Sequence, residues 1–229
     1  MSDNIIPYFE MCQREGASLQ AGMNFGLGLQ HSVILMSLRP NAPYQDRLED
    51  GGTTLIYEGH DQPKSESCPN PKLVDQPESR PSGSLTQNGK FHAAAQATHA
   101  GKREPERVRV YEKIRPGIWA DNGLFHLVDS WRENNGTRSV FKFKLIAVRD
   151  EQETWSASVS TKTRRRIIPT EIKLAVWKRD AGKCVECGAT DELHFDHDLP
   201  YSKGGTSLTE ANVQLLCARH NLQKRDKIK

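Results

Sequence analysis

The chain has 229 residues, enough for one large domain or two of ordinary size, and its 36% hydrophobic content can supply their cores. No apolar run approaches the roughly 18 residues of a membrane span, so we expect no membrane association. The net charge is +3, but residues 161–229 carry 14 Lys and Arg against 9 Asp and Glu, which suits a polyanionic partner.

The N-terminal part is predicted to be rich in β-strands. Short apolar or alternating segments predict strands near residues 33–38, 53–57, 107–111 and 141–148. A helix is expected near residues 85–99. Residues 60–83 contain five Pro and no periodicity, which predicts a long loop of the kind that is often functional. Many strands with long loops and one or two helices indicate a curved or barrel-like sheet.

A second structural unit is predicted after a polar linker. Pro169 opens a helical pattern that ends at the turn residues 180–182. A hairpin and a final helix from about Ala218 are expected to follow. The chain is therefore predicted to be α+β, with a first domain over residues 1–150, a basic linker over 151–167 and a small second domain over 168–229.

Two pairs of metal-binding residues stand in the second unit. Each pair is separated by two residues: Cys184 with Cys187, and Cys217 with His220. Four such ligands predict a closed, structural Zn²⁺ site, and the 29 residues between the pairs can hold a hairpin.

The remaining cysteines, Cys12 and Cys68, have no evident partner. Free thiols beside a metal site are typical of a reducing compartment. Residues 1–15 lack the features of a secretory signal. We therefore expect the protein in a reducing cytosol.

The segments at residues 193–205, 212–217 and 220–224 resemble the HNH (ββα-metal) nuclease family. The resemblance covers roughly residues 168–229. Two departures are minor: His220 replaces the usual fourth Cys, and Asp198 stands where an apolar residue is common. The fold expected from it is a small zinc-bound ββα-metal domain.

The resemblance implies a role for each polar residue of these segments. His197 would be the general base, and Asp196 and Asn221 would hold a catalytic Mg²⁺ or Mn²⁺ through hard oxygen atoms. Asn212 would hold the imidazole or the loop without touching the metal. A zinc ribbon without activity, with Asp196 and His197 as a surface pair, is the alternative.

Basic residues near these segments are candidates for contacts with the DNA backbone. They are Arg164, Arg165, Arg166, Lys203 and Lys224. For the arginine run the alternative is a merely solvated linker.

A second resemblance covers about residues 20–150. The order of residues 32–35, 44–46, 52–61, 85–88 and 121–125 resembles the SRA (SET- and RING-associated, or YDG) domain. The family's Tyr-Asp-Gly appears as residues 121–123, and residues 37–44 replace its usual Gly-Gly-Tyr. The expected fold is a curved SRA-like sheet or barrel with flanking helices.

SRA domains flip a modified cytosine out of the duplex and hold it between aromatic rings. The resemblance implies that Tyr57 and Tyr44 supply the rings of this base pocket. Asp46 would accept a hydrogen bond from the cytosine edge, and Asp50 is the alternative because the register of the loop at residues 38–52 is open.

Together the two resemblances point to a bacterial or archaeal modification-dependent restriction endonuclease, which implies a location in the cytoplasm of a prokaryote. It would bind double-stranded DNA containing 5-methylcytosine or 5-hydroxymethylcytosine and hydrolyse the backbone nearby. One active site cuts one strand, so a homodimer is expected. Two alternatives stay open: a non-catalytic reader of modified DNA, and an HNH nicking or homing nuclease with an unrelated specificity domain.

Overall fold

The structure is a computed structural model that describes residues 3–27, 31–148, 167–199 and 209–224. Within these ranges ten strands form one mixed sheet. In chain order they are β1 (Asp3–Pro7), β2 (Met23–Asn24), β3 (Ser32–Met36), β4 (Arg47–Glu49), β5 (Thr54–Glu58), β6 (Glu106–Arg115), β7 (Ile118–Asn134), β8 (Ser139–Ala147), β9 (Leu193–His197) and β10 (Val213–Cys217).

In the part of the chain that the structure describes, four α-helices pack around this sheet, which confirms the predicted α+β class. They are α1 (Tyr8–Glu15), α2 (Gln87–His99), α3 (Thr170–Arg179) and α4 (Ala218–Lys224). The Thr86 side chain caps α2 by accepting a hydrogen bond from the backbone N–H of Gly89. Within the described ranges, no helix combines the length and apolar character that crossing a membrane needs.

Four of the strands, β3, β5, β6 and β8, coincide with the predicted ones, and α2, α3 and α4 coincide with the predicted helices. The loop predicted over residues 60–83 contains one 3₁₀ turn, Pro71–Leu73. Strand β1 and helix α1 were not predicted.

The sheet has the order β10-β9-β1-β7-β6-β3-β2, with β8, β5 and β4 attached through β7. The strand β7, with 17 residues, is long enough to pair with β1, β6 and β8. On one side its first part pairs with β1 and its later part pairs with β8, while β6 runs along the other side. The pairing of β3 with β6 is parallel.

Strand β1 joins the C-terminal hairpin to the rest of the sheet. Asn4 lies opposite Asp121 on β7 and opposite His194 on β9. Ile5 of the same strand belongs to the hydrophobic core that contains Phe195. The hairpin β9–β10 is therefore continuous with the N-terminal sheet, and the predicted division at residues 150 and 168 stays a prediction.

Three hydrophobic clusters stabilise the fold. The largest packs α2 against β3, β5, β6, β7 and β8, and it includes Phe91 and Phe143, whose ring centroids are 5.9 Å apart. A second packs α3 against β9 and β10, and a third packs α1 against β3, β6 and β7. Ile167, at the end of the predicted linker, is fully buried in the largest cluster.

A buried polar network fixes α3 to the sheet. Lys173 and Glu112 are both 0% exposed, and the Lys173 ammonium lies 2.8 Å from Glu112 Oε2. The ammonium also donates to Asn122 Oδ1 at 2.6 Å, and Thr170 donates to Glu112. Because α3 leads into the C-terminal hairpin, this network sets the position of the hairpin relative to the N-terminal sheet.

Replacing Lys173 by Met is expected to lower the free energy of unfolding by about 3–5 kcal/mol, because it leaves the Glu112 carboxylate buried without its ammonium. Urea unfolding followed by circular dichroism measures the change. The double variant Lys173→Met with Glu112→Gln should recover much of the loss. A loss below about 1 kcal/mol in the single variant would contradict this account of the network.

Candidate active site and cavity

The four predicted zinc ligands meet in one cluster. The ligand atoms of Cys184, Cys187, Cys217 and His220 all lie within 4.8 Å of one another. The Sγ atoms of Cys187 and Cys217 are 3.8 Å apart, and His220 Nδ1 lies 3.3 Å from Cys184 Sγ and 3.4 Å from Cys217 Sγ. A tetrahedral ion with Zn–S bonds of about 2.3 Å needs ligand edges of roughly 3.8 Å between sulfurs. The cluster can therefore hold Zn²⁺.

Backbone hydrogen bonds hold the two ligand pairs in place. Cys184 N donates to Ala189 O at 2.8 Å, and Val185 N donates to Leu215 O on β10 at 3.0 Å. Although burial alone raises the pKa of the Cys184 thiol, hydrogen bonds from the Cys217 backbone and His220 lower it to about 6. A thiol with a lowered pKa provides the thiolate that zinc requires.

The predicted catalytic pair ends the strand β9. Asp196 lies opposite Gln214, and His197 lies opposite Val213 on β10. Both residues are partly exposed, whereas Phe195, which directly precedes Asp196 on the strand, is fully buried. Strand alternation thus keeps the β9 core on one face and Asp196 on the other.

Asn212 fixes the loop that follows β9. Its side-chain amide donates to Leu199 O at 3.1 Å and accepts from Leu199 N at 2.7 Å. Its backbone carbonyl accepts from Asp198 N at 2.9 Å. These bonds hold Asp198 and Leu199, directly after His197, and the role that the resemblance implies for Asn212 stays a prediction.

Lys224 requires a correction to the sequence-based prediction. Its side chain is 1% exposed, and its ammonium donates to Asp196 Oδ2 at 2.7 Å and to His197 O at 2.5 Å. A buried ammonium with these partners is not available to a DNA phosphate. Asn221 lies three residues earlier on α4, which places it on the same face of the helix.

The N-terminal part contains a cavity of about 540 Å³. This volume lies within the range of about 300–1,000 Å³ that is usual for small-molecule sites. Among the residues that line it are Tyr44, Asp46, His60, Lys113 and Trp119.

An aromatic stack occupies one side of this cavity. The His60 imidazole is parallel to the Tyr44 ring, with centroids 4.5 Å apart and an interplanar angle of 9°. Burial lowers the pKa of His60 to about 4, so the imidazole is neutral at physiological pH. The Lys72 ammonium lies 4.0 Å from the centroid of the Tyr44 ring and 2.9 Å from Asp61.

Tyr57 does not line the cavity, contrary to the prediction that its ring faces a bound base. The residue is 1% exposed and belongs to the largest core. Its hydroxyl lies 2.7 Å from His60 Nε2, and the two rings are 5.8 Å apart. His60 therefore contacts both predicted stacking residues, Tyr44 and Tyr57.

The two aspartates proposed for the cytosine edge differ in position. Asp46 lines the cavity and accepts from Glu58 N at 3.0 Å and Ser37 N at 3.3 Å. Burial raises the pKa of Asp46 to about 7 despite these bonds. Asp50 lies in the exposed turn before β5, where its carboxylate accepts from Thr54 Oγ1.

Sequence reasoning missed His60, Trp119 and Lys113 as cavity residues. His60 lies three residues after Tyr57, within the segment 52–61 that carries the SRA resemblance, and this position was the available signal. Trp119 gave no such signal, because it lies near the start of the long strand β7, outside the segments that carry the resemblance. The predicted DNA contacts Arg164, Arg165, Arg166 and Lys203 lie outside the described residues.

Several solved structures resemble this chain at low identity. A complex of the SUVH5 SRA domain with hemimethylated CG DNA has a TM-score of 0.43 and 22% identity, and covers 68% of this chain and 93% of that chain. SUVH5 SRA bound to fully hydroxymethylated CG DNA has a TM-score of 0.41 and 22% identity, with 66% and 89% covered. Arabidopsis thaliana SUVH6 in complex with SAM has a TM-score of 0.38 and 19% identity, with 65% and 26% covered.

No curated protein is significantly similar in sequence to this chain. The family model of the HNH endonucleases matches residues 184–227, which include both pairs of zinc-binding residues and the Asp196–His197 pair. Over these residues the chain therefore carries an HNH endonuclease domain.

Proposed function

We propose that the protein is an endonuclease that recognises modified cytosine in double-stranded DNA and hydrolyses the backbone nearby. The proposal rests on one observation: a single sheet carries both candidate sites. The HNH domain presents Asp196 and His197, and the N-terminal part offers an aromatic-lined cavity with a buried carboxyl group.

In the proposed catalytic site, Asp196 and Asn221 hold a divalent cation through oxygen atoms, the donors that Mg²⁺ and Mn²⁺ prefer. A bound ion would stabilise negative charge on the phosphate and the leaving oxygen. His197 accepts a proton from the attacking water as general base. Asn212 keeps the backbone after His197 in place through its two bonds to Leu199.

In the proposed recognition site, the flipped base enters the cavity and stacks on Tyr44. His60 now fills the space against this ring and also contacts Tyr57. We infer that His60 moves when the base enters, so that the base takes its place against the Tyr44 ring. Asp46 then offers its carboxyl group to the cytosine edge, because it lines the same cavity.

The proposed active site holds one general base and therefore cuts one strand in each event. A double-strand break requires two such sites, so we propose that a homodimer acts on DNA. In each subunit, a Zn²⁺ ion bound by the three Cys and one His would hold the two ends of the hairpin and α4 together.

Replacing Tyr44 by Ala is expected to weaken binding to modified DNA by about 1–3 kcal/mol, the scale of base–aromatic stacking. Binding to unmodified DNA should persist and remain sensitive to salt, because it comes from Lys and Arg contacts with phosphate. A titration of the variant against matched modified and unmodified duplexes at one salt concentration measures both.

Tyr44→Phe is the matched control, because it keeps the ring and removes only the hydroxyl, which accepts from Asp61 N at 3.3 Å. It should retain most of the preference for the modified duplex. If folded Tyr44→Ala keeps the full preference, Tyr44 is not a stacking residue and the cavity is not the base pocket.

A further inference from the structure

Lys224 is a buried lysine whose partners belong to the proposed catalytic strand. Its ammonium contacts Asp196 Oδ2 at 2.7 Å, His197 O at 2.5 Å and Asp198 Oδ1 at 3.7 Å. Burying an ammonium is costly unless charged or polar partners compensate it. Here all three partners lie within three consecutive residues at the end of β9, so α4 is fastened to that point of the strand.

The contact is made to one of the two carboxylate oxygens of Asp196, Oδ2. Asn221 and Lys224 are three residues apart on α4 and share a helical face. The helix thus carries an asparagine three residues before the lysine that contacts the carboxylate. This arrangement has the form of a metal ligand that is oriented by a hydrogen-bonded neighbour.

We propose that Lys224 is a positioning residue for the catalytic metal, acting through Asp196. The ammonium fixes the orientation of the carboxylate and the backbone of His197, so that a divalent cation finds Asp196 and Asn221 already in place. This inference rests on the proposed function, in which Asp196 is a metal ligand. In the contrary role, Lys224 competes with the divalent cation for Asp196: its ammonium occupies the carboxylate and its positive charge repels the cation.

Mn²⁺ binding to the zinc-loaded protein, measured by calorimetry without DNA, separates these roles. Lys224→Met is expected to weaken Mn²⁺ binding by about 10–100-fold, the usual effect of removing a residue that orients a metal ligand. Lys224→Arg, which keeps a cation with several donors, should recover part of the loss. Tighter binding in Lys224→Met would show a competitor and overturn the proposal, as would unchanged binding.

The matched control is Lys178→Met, which removes an exposed lysine of the same domain and should leave Mn²⁺ binding unchanged. Zinc content and circular dichroism show whether each variant is folded. If Lys224→Met does not fold, Lys224→Gln takes its place, because the amide keeps one donor for Asp196 without the charge. Mn²⁺ affinity equal to the wild type in folded Lys224→Gln would also overturn the proposal.

Asp196→Asn distinguishes failure of this inference from failure of the proposed function. If Asp196→Asn weakens Mn²⁺ binding and Lys224→Met does not, only the positioning role is lost. If neither variant changes the affinity, Asp196 is not a metal ligand and both proposals fall. In cleavage assays Lys224→Met should lower kcat with little change in KM, whereas loss of a DNA-backbone contact would raise KM.

Discussion

His197→Ala is expected to lower the rate of DNA cleavage by about 10²–10⁴-fold, the usual contribution of a general base. Binding to modified DNA should remain close to that of the wild type. The reason is that His197 ends β9 in the HNH domain, whereas the proposed base cavity lies in the N-terminal part of the sheet. Cleavage of a labelled modified duplex and a binding titration of the same duplex measure the two effects separately.

His194→Ala is the matched control for this experiment. His194 lies three residues before His197 on the same strand, opposite Leu216, and burial lowers its pKa. It has no assigned part in the chemistry, so its replacement should leave the cleavage rate within a few-fold of the wild type. Cleavage at the wild-type rate by folded His197→Ala would remove His197 from the mechanism.

Cys184→Ser should have a different and broader effect. Cys184 is 2% exposed and packs in the core shared by α3 and the hairpin β9–β10. Binding of a structural zinc ion contributes about 10–16 kcal/mol in small zinc domains, and that energy is folding energy. We expect the variant to lose its zinc, to unfold in the C-terminal part and to lose cleavage together with it.

Metal analysis and proteolysis test this expectation. The wild type should hold about one tightly bound zinc per chain, and chelation should make the C-terminal part sensitive to protease. Cys12→Ser is the matched control, because Cys12 is a free cysteine outside the cluster. This variant should keep its zinc. A folded and active Cys184→Ser protein without zinc would contradict the structural role of the cluster.

Much of the fold could be predicted from the sequence because its main strands are long and periodic. Strands β6 and β8 alternate clearly, and α2 begins at a capping threonine. Strand β1 could not be predicted in the same way. It has five residues, and its pairing with both β7 and β9 depends on partners more than 100 residues away.

The cluster of three Cys and one His could be predicted because the spacing of these residues alone indicates a metal site, and the structure brings all four together. Lys224 was misjudged because a lysine in a basic segment is usually exposed. Its burial depends on Asp196, which lies on a different element. The burial of Tyr57 beneath His60 likewise depends on how three separate segments pack.

Digestion of matched DNA tests the central claim most directly. One sequence is prepared in three forms, unmodified, with 5-methylcytosine and with 5-hydroxymethylcytosine, and each is incubated with the zinc-loaded protein and Mg²⁺ or Mn²⁺. We expect cleavage of at least one modified form, little or no cleavage of the unmodified form, and cleavage of the modified form that is about 10²–10⁴-fold slower with His197→Ala. Equal cleavage of all three forms, or no cleavage of any of them by folded protein with either metal, would contradict the claim.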